Sequence, residues 1–138
     1  MSEQIVIIPC GARKQPGKHP AGRLYTGPYF RACLRYALSL VDASRVFILS
    51  AKYGLLALDD VIETYNLTMG QTGCVSPQRV KTQAQERNLL HYDGIAVGGQ
   101  RYTSVCRYVW PACKTPLTGT GGNGKQLQWL KRHQGVMP

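Results

Sequence analysis

Ile5-Val6-Ile7-Ile8 is an unbroken apolar run that ends in Pro9-Cys10-Gly11-Ala12-Arg13-Lys14. A strand with one solvated face alternates apolar and polar residues. An uninterrupted run instead predicts burial on both faces, the condition of a parallel sheet covered by helices. Val46-Phe47-Ile48-Leu49 repeats the pattern and breaks into Ser50-Ala51-Lys52-Tyr53-Gly54-Leu55-Leu56. A third run, Gly94 to Val97, ends in Gly98-Gly99-Gln100. Apolar residues at helical spacing lie between and after these strands: Phe30, Cys33, Leu34, Ala37 and Leu38, then Val105, Cys106 and Val109. They predict helices over 29–38 and 102–110 whose inner faces cover the sheet. The fold class expected is a single three-layer α/β/α domain over residues 1–138, with a short, mostly parallel, Rossmann-like sheet.

The connections are less regular. Residues 15–26 read as a basic loop rich in Pro, Gly and Lys, with Thr26 placed to cap the first helix ahead of Gly27 and Pro28. Asp59 to Tyr65 forms an acidic stretch, and residues 66–76 look irregular. Residues 77–90 suit a strongly polar outer helix, and 126–131 a last short one. Gly119 to Lys125 has the spacing of a phosphate-binding loop, but Gln126 stands where a Ser or Thr should hold magnesium, which argues against a true ATP or GTP site. A single phosphate beside Lys125, or an ordinary flexible turn, are the two readings left open.

Seventeen Lys and Arg against seven Asp and Glu give a net charge of +10 over 138 residues. Such an excess favours a polyanionic partner, nucleic acid (DNA first) or a nucleotide, through phosphate neutralisation. No apolar run of about 18 residues suggests a membrane span, and the first residues lack a signal-peptide pattern, so a cytoplasmic protein is expected. Five cysteines without a Cys-x-x-Cys pair, and three histidines without ligand spacing, suggest neither a disulfide framework nor a zinc site. No metal or cofactor is expected. Cys33 and Cys106 belong to the core, whereas Cys10, between Pro9 and Gly11, sits at a strand end.

Ligands of open α/β sheets bind beyond the carboxyl ends of the strands. If the first two strands run parallel, Lys14 and Lys52 emerge at the same edge, with Gly11 allowing a tight turn and Ser50 and Tyr53 beside Lys52. That edge is the candidate site. An ammonium beside a hydroxyl and an aromatic ring suits a phosphate or a base; equally, Lys52 suits a strand cap pointing at solvent.

With these landmarks in place, the chain resembles a small bacterial and phage family named only as a domain of unknown function and loosely labelled YaaA-like. The matching pieces are Cys10-Gly11-Ala12-Arg13-Lys14, Pro20-Ala21, Leu24-Tyr25-Thr26-Gly27, Ser50 to Leu56, Tyr65, Gly98 to Tyr102 and Gly124 to Leu130. The family is similar to a wider set of uracil-DNA-glycosylase-like domains, which implies chemistry at a nucleobase and its N-glycosidic bond. On that reading Asp60, or Asp59, is the carboxylate that stabilises oxocarbenium character or orients water, and Lys52, Lys14 or Gln100 helps the leaving base or grips flanking phosphates. Cys10, Gly11, Lys14, Ser50, Tyr53, Tyr65, Gln100 and Tyr102 would bind the base or nucleotide, with a tyrosine stacking a flipped base. Arg13 and Lys125 would hold phosphates. The absence of an acid just after the first strand departs from glycosylase patterns. Two alternatives stand beside the enzyme: a non-catalytic DNA-binding stress or phage factor, and a nucleotide-sequestering protein.

Overall fold

The computed structural model describes residues 3–138. Its main sheet has four strands: β1 (Gln4–Pro9), β3 (Val46–Ser50), β4 (Gly54–Ala57) and β6 (Asp93–Ala96), in the order β4-β3-β1-β6. β1 pairs parallel with β3 on one side and with β6 on the other. Ile5, Val6, Ile7 and Ile8 are all within 1 % of complete burial, as an apolar run on a central strand requires. β4 returns antiparallel to β3 and makes the sheet mixed. It is formed by Gly54-Leu55-Leu56-Ala57, so the second half of the expected polar turn is strand.

Helices cover both faces. α2 (Pro28–Leu40) and α5 (Asn123–Arg132) pack together on one, α3 (Pro77–Glu86) and α4 (Gln100–Val109) on the other. This is the three-layer α/β arrangement. The basic loop 15–26 holds more order than expected. β2 (Lys18–Pro20) pairs antiparallel with β5 (Val61–Glu63), and the short α1 (Ala21–Leu24) follows β2. Thr26 does not cap α2: its N–H is given to the Arg13 carbonyl, and Gly27 is the N-cap. α4 and α5 begin two and three residues earlier than periodicity predicts, which puts Gln100 and Lys125 in first turns. Both early starts follow a glycine N-cap, where no apolar residue marks the boundary. Among the described residues no helix is long and apolar enough to cross a membrane.

The turn between β3 and β4 is held from outside the sheet. Gly54 has φ of +78°, and an added Cβ would meet the Gln83 side chain at 2.2 Å. Gln83, on the polar helix α3, accepts from the Leu55 N–H at 2.8 Å and donates to the Tyr53 carbonyl at 2.9 Å. One side chain thus satisfies two backbone groups that the turn leaves open. Gln83→Leu leaves them unpaired and is expected to lower the unfolding free energy by about 1–2 kcal/mol. Urea denaturation checks this; an unchanged midpoint would mean that water replaces the amide at no cost.

Candidate functional site

β1 feeds α2 and then β3 on one side of the sheet, whereas β6 lies on the other side and feeds α4. The carboxyl ends of β1 and β6 are therefore where chain connections part in opposite directions, the position at which open α/β sheets form a binding crevice. A cavity of about 660 Å³ opens there. Its floor is the end of β1 and the following turn, Pro9 to Arg13; its walls are Tyr29 and Phe30 of α2, Tyr102 of α4 and Leu127 of α5. Gly98 makes the close approach of the two strand ends possible. Its φ is +132°, and a Cβ would sit 3.0 Å from the Pro9 ring.

Three helices start at this cavity. Gly27 and Pro28 of α2, Gly99 and Gln100 of α4, and Asn123 of α5 all line it. Each N-cap is a glycine (Gly27, Gly99, Gly122), none receives a side-chain cap, and no first turn carries an acid. Helix N-termini present unpaired N–H groups and about half a positive charge each. Arg13 and Arg101 also line the cavity, Arg101 with its guanidinium over Gly70 and one N–H given to the Met69 carbonyl at 3.4 Å. No Asp, Glu or His lines the cavity among the described residues. The walls are apolar and aromatic, the rim is cationic, and the polar groups able to read a ligand are Gln100, Asn123 and the Cys10 thiol. Cys10 Sγ lies 3.3 Å from the Tyr102 hydroxyl.

Behind Cys10, away from the cavity lining, lies a second constellation. Ser50, fully buried at the end of β3, accepts from the Lys52 and Tyr53 N–H groups and donates to the Tyr65 hydroxyl at 2.8 Å. The Tyr65 and Tyr25 hydroxyls are 2.6 Å apart. Lys14 Nζ stands 4.4 Å from the Tyr65 ring centroid and Lys52 Nζ 5.2 Å from that of Tyr53, both in cation–π range. Burial lowers the Lys14 ammonium from its usual value, against a smaller opposing effect of Cys10. Burial also pushes Tyr25 up to about 12. It raises Tyr65 and Tyr102 further, with an electrostatic effect of neighbouring Cys10 adding to both.

The residues predicted from sequence thus divide into three places. Cys10, Gly11, Arg13, Gln100 and Tyr102 line the cavity. Lys14, Ser50, Tyr53 and Tyr65 form the hydroxyl cluster next to it, and Lys52 lies exposed over Tyr53. Lys125 lies along the glycine-rich turn, its stem 2.7 Å from where a Gly121 Cβ would be. Asp60 is with none of them. It follows β4, whose Ala57 pairs with Phe47 near the amino end of β3, opposite to Ser50. Its carboxylate accepts from the Ala57 N–H at 2.9 Å and pairs with Arg87 at 2.8 Å. The structure thus places Asp60 apart from Lys52, with its carboxylate closing a turn. Tyr29, Phe30, Arg101, Asn123 and Leu127 were missed. The signal available for Arg101 and Asn123 was their place one or two residues after a glycine at a helix start. Among the described residues no three His, Cys, Asp or Glu side chains converge as metal ligands would.

The hydroxyl cluster carries a pH prediction. Tyr25 titrates near 12 in the folded protein against an ordinary value of 10.0, so the unfolded chain loses this proton first as pH rises. A raised folded value means the stabilisation is complete below about pH 10 and is lost progressively above it. Tyrosinate absorbance is expected to appear for the exposed rings first, and for Tyr25, Tyr65 and Tyr102 only with alkaline unfolding. In Tyr65→Phe the urea stability at neutral pH should fall by about 1 kcal/mol or more, and stability should then decline less steeply above about pH 10 because one ionisation that drives unfolding is gone. Early ionisation of every tyrosine would contradict the cluster.

No curated protein and no solved structure matches this chain. A family model does match, over residues 5–132, which takes in the β1 turn, the Ser50–Leu56 segment, the three helix starts and the cavity they frame. The chain belongs to the family of unknown function DUF6884.

Proposed function

We propose that the protein is a nucleotide-recognising domain, whose cavity at the β1–β6 crevice takes a nucleotide with its phosphate at the rim and its base against the aromatic walls. The observation that carries this reading is the convergence of three uncapped helix N-termini with Arg13 and Arg101 on one cavity that has no carboxylate. Such a rim attracts phosphate and repels nothing anionic. A space of about 660 Å³ falls in the range of small-molecule sites. Tyr29, Phe30 and Tyr102 offer π-faces to a base, and Gln100 and Asn123 can donate and accept at its edge.

Kinship with the uracil-DNA-glycosylase-like domains, suggested by Cys10 to Lys14 and Ser50 to Leu56, belongs to the same proposal and supports a nucleobase as the recognised group. Cleavage of the N-glycosidic bond is less well supported. It needs a carboxylate or an equivalent near the sugar, and Asp60 is held elsewhere by Ala57 and Arg87. Recognition therefore stands ahead of hydrolysis.

Gly99→Asp tests the site directly. A Cβ at Gly99 meets nothing within 4 Å, its backbone is extended, and Asp is a preferred N-cap. The variant should fold with equal or slightly higher Tm, yet lose nucleoside monophosphate affinity by about tenfold or more, because a fixed carboxylate now occupies the anion end. Arg13→Ala should weaken a nucleoside monophosphate by about tenfold and leave the matching nucleoside unaffected. Calorimetry reads all three. Undiminished monophosphate binding in Gly99→Asp would remove the phosphate from this rim. Base release from DNA that survives Asp60→Asn would put the cleavage chemistry on cavity residues, Cys10 and Tyr102 foremost.

A further inference from the structure

A second cavity, of about 380 Å³, shares Gly99 and Gln100 with the first and lies on their other side. Thr103 and Arg107 of α4 form one wall, and Thr118, Gly119 and Gly121 of the glycine-rich turn form the other. Lys125 lies along that turn with its stem over Gly121. Arg107 gives one N–H to the Thr115 hydroxyl at 2.8 Å, and among the described residues no carboxylate pairs with it, so most of its donors stay available. No Asp or Glu lines this cavity either, among the described residues.

The two spaces are divided by a side-chain partition. Gln126, 9 % exposed, lines the second cavity. It accepts from the hydroxyl of Tyr29, a wall of the first, and donates to the Gly121 carbonyl at 2.9 Å. The residue that departs from the ATP-loop pattern is thus the one that fixes the turn against α2. Half-buried Gly99 and exposed Gln100 border both cavities, so a ligand that occupies both spans this pair.

From this geometry we infer that the ligand is one unit of a nucleic-acid strand, with an adjacent backbone phosphate in the second cavity on Arg107. The inference rests on the nucleotide reading of the first cavity. A strand fits this span because its sugar-phosphate links repeat an anion at each unit and its ends run on into solvent. The net charge of +10 gives such a polyanion a favourable field beyond either cavity. A nucleoside triphosphate is the other source of a second anion, and it is distinguished below.

The experiment compares a mixed-sequence single-stranded DNA octanucleotide, the four deoxynucleoside monophosphates and the four triphosphates, on the wild type and on Arg107→Ala, with Arg107→Lys as the charge-keeping control. Arg107 is exposed, and matching thermal melts establish that the variants fold. The octanucleotide should bind more tightly than any monophosphate. Arg107→Ala should weaken the octanucleotide by about tenfold, leave monophosphates unchanged, and lower the salt slope of log K by about 0.7, the value of one released phosphate contact on a single strand. Arg107→Lys should keep the slope. Equal binding of octanucleotide and monophosphate overturns the strand while the nucleotide site stands. So does a gain carried by triphosphates alone, or an octanucleotide gain that ignores Arg107→Ala. Binding of none of the probes overturns the strand and the nucleotide site together.

Discussion

Burial of β1 on both faces and pairing on both of its edges is the constraint from which the site follows. A strand with no polar residue between Ile5 and Ile8 has to be covered by helices above and below and flanked by strands left and right. Its two neighbours come from connections that leave in opposite directions, so a crevice opens at the end of a strand buried on both faces. Pro9 and Cys10 begin the floor of that crevice because the apolar run stops there. The crevice is thus set on a strand paired on both edges and packed on both faces, which favours fixed geometry over adaptability.

The rim of the crevice is a concentration of positive charge with no internal counter-charge. Folding Arg13, Arg101 and three helix ends toward one space is electrostatically unfavourable in the empty protein, and an ordinary protein would relieve it with an acidic cap. Glycine at an N-cap gives up only a few tenths of a kcal/mol relative to Ser or Asp. Three such caps therefore cost the fold little, while one aspartate would place a full negative charge at the rim. The acids are spent elsewhere: Asp60 on Arg87, Glu3 on Arg45 and Glu86 on Arg79, all away from the cavity. These exposed pairs add little stability, so their main electrostatic consequence is that they leave the rim uncompensated.

The central strands and the covering helices were legible because the pattern that names them is the force that buries them. Ile5 to Ile8, Val46 to Leu49 and the Phe30–Cys33–Ala37 stripe read directly as core. The crevice was legible in part, through Cys10, Gly11, Arg13, Gln100 and Tyr102. Ser50 to Leu56 draws attention through its chemistry-bearing residues, yet Ser50 turns inward to the Lys52 and Tyr53 N–H groups and to Tyr65, and the Tyr53 hydroxyl is given to the Glu63 carbonyl. The crevice depends on which strand neighbours β1 on its far side, and that long-range pairing leaves no local mark. Arg101 and Asn123 acquire their positions only from it. Asp60 misled for a related reason: proximity in sequence to the Ser50 turn became distance in space once Gly54 to Ala57 ran back along β3.

The hydroxyl cluster has a part even though it does not line the cavity. Ser50, Tyr65 and Tyr25 tie the end of β3 to two segments outside the main sheet, one after β5 and one before α2. Tyr25 also pairs across an isolated bridge with Lys14, and Thr26 bonds the Arg13 carbonyl, so the same cluster fixes the backbone that presents Arg13 to the rim. A buried chain of hydroxyls satisfies every member only in one arrangement, which is what gives polar networks their power to specify a conformation. Cys10 lies where the two constellations meet, bonded to Tyr102 on the cavity side and close enough to Tyr25 and Tyr65 to act on them electrostatically. The residues that looked like a binding site in the sequence are in this sense its foundation, holding the β1 turn in the one shape that aims Arg13 and the Cys10 thiol into the crevice.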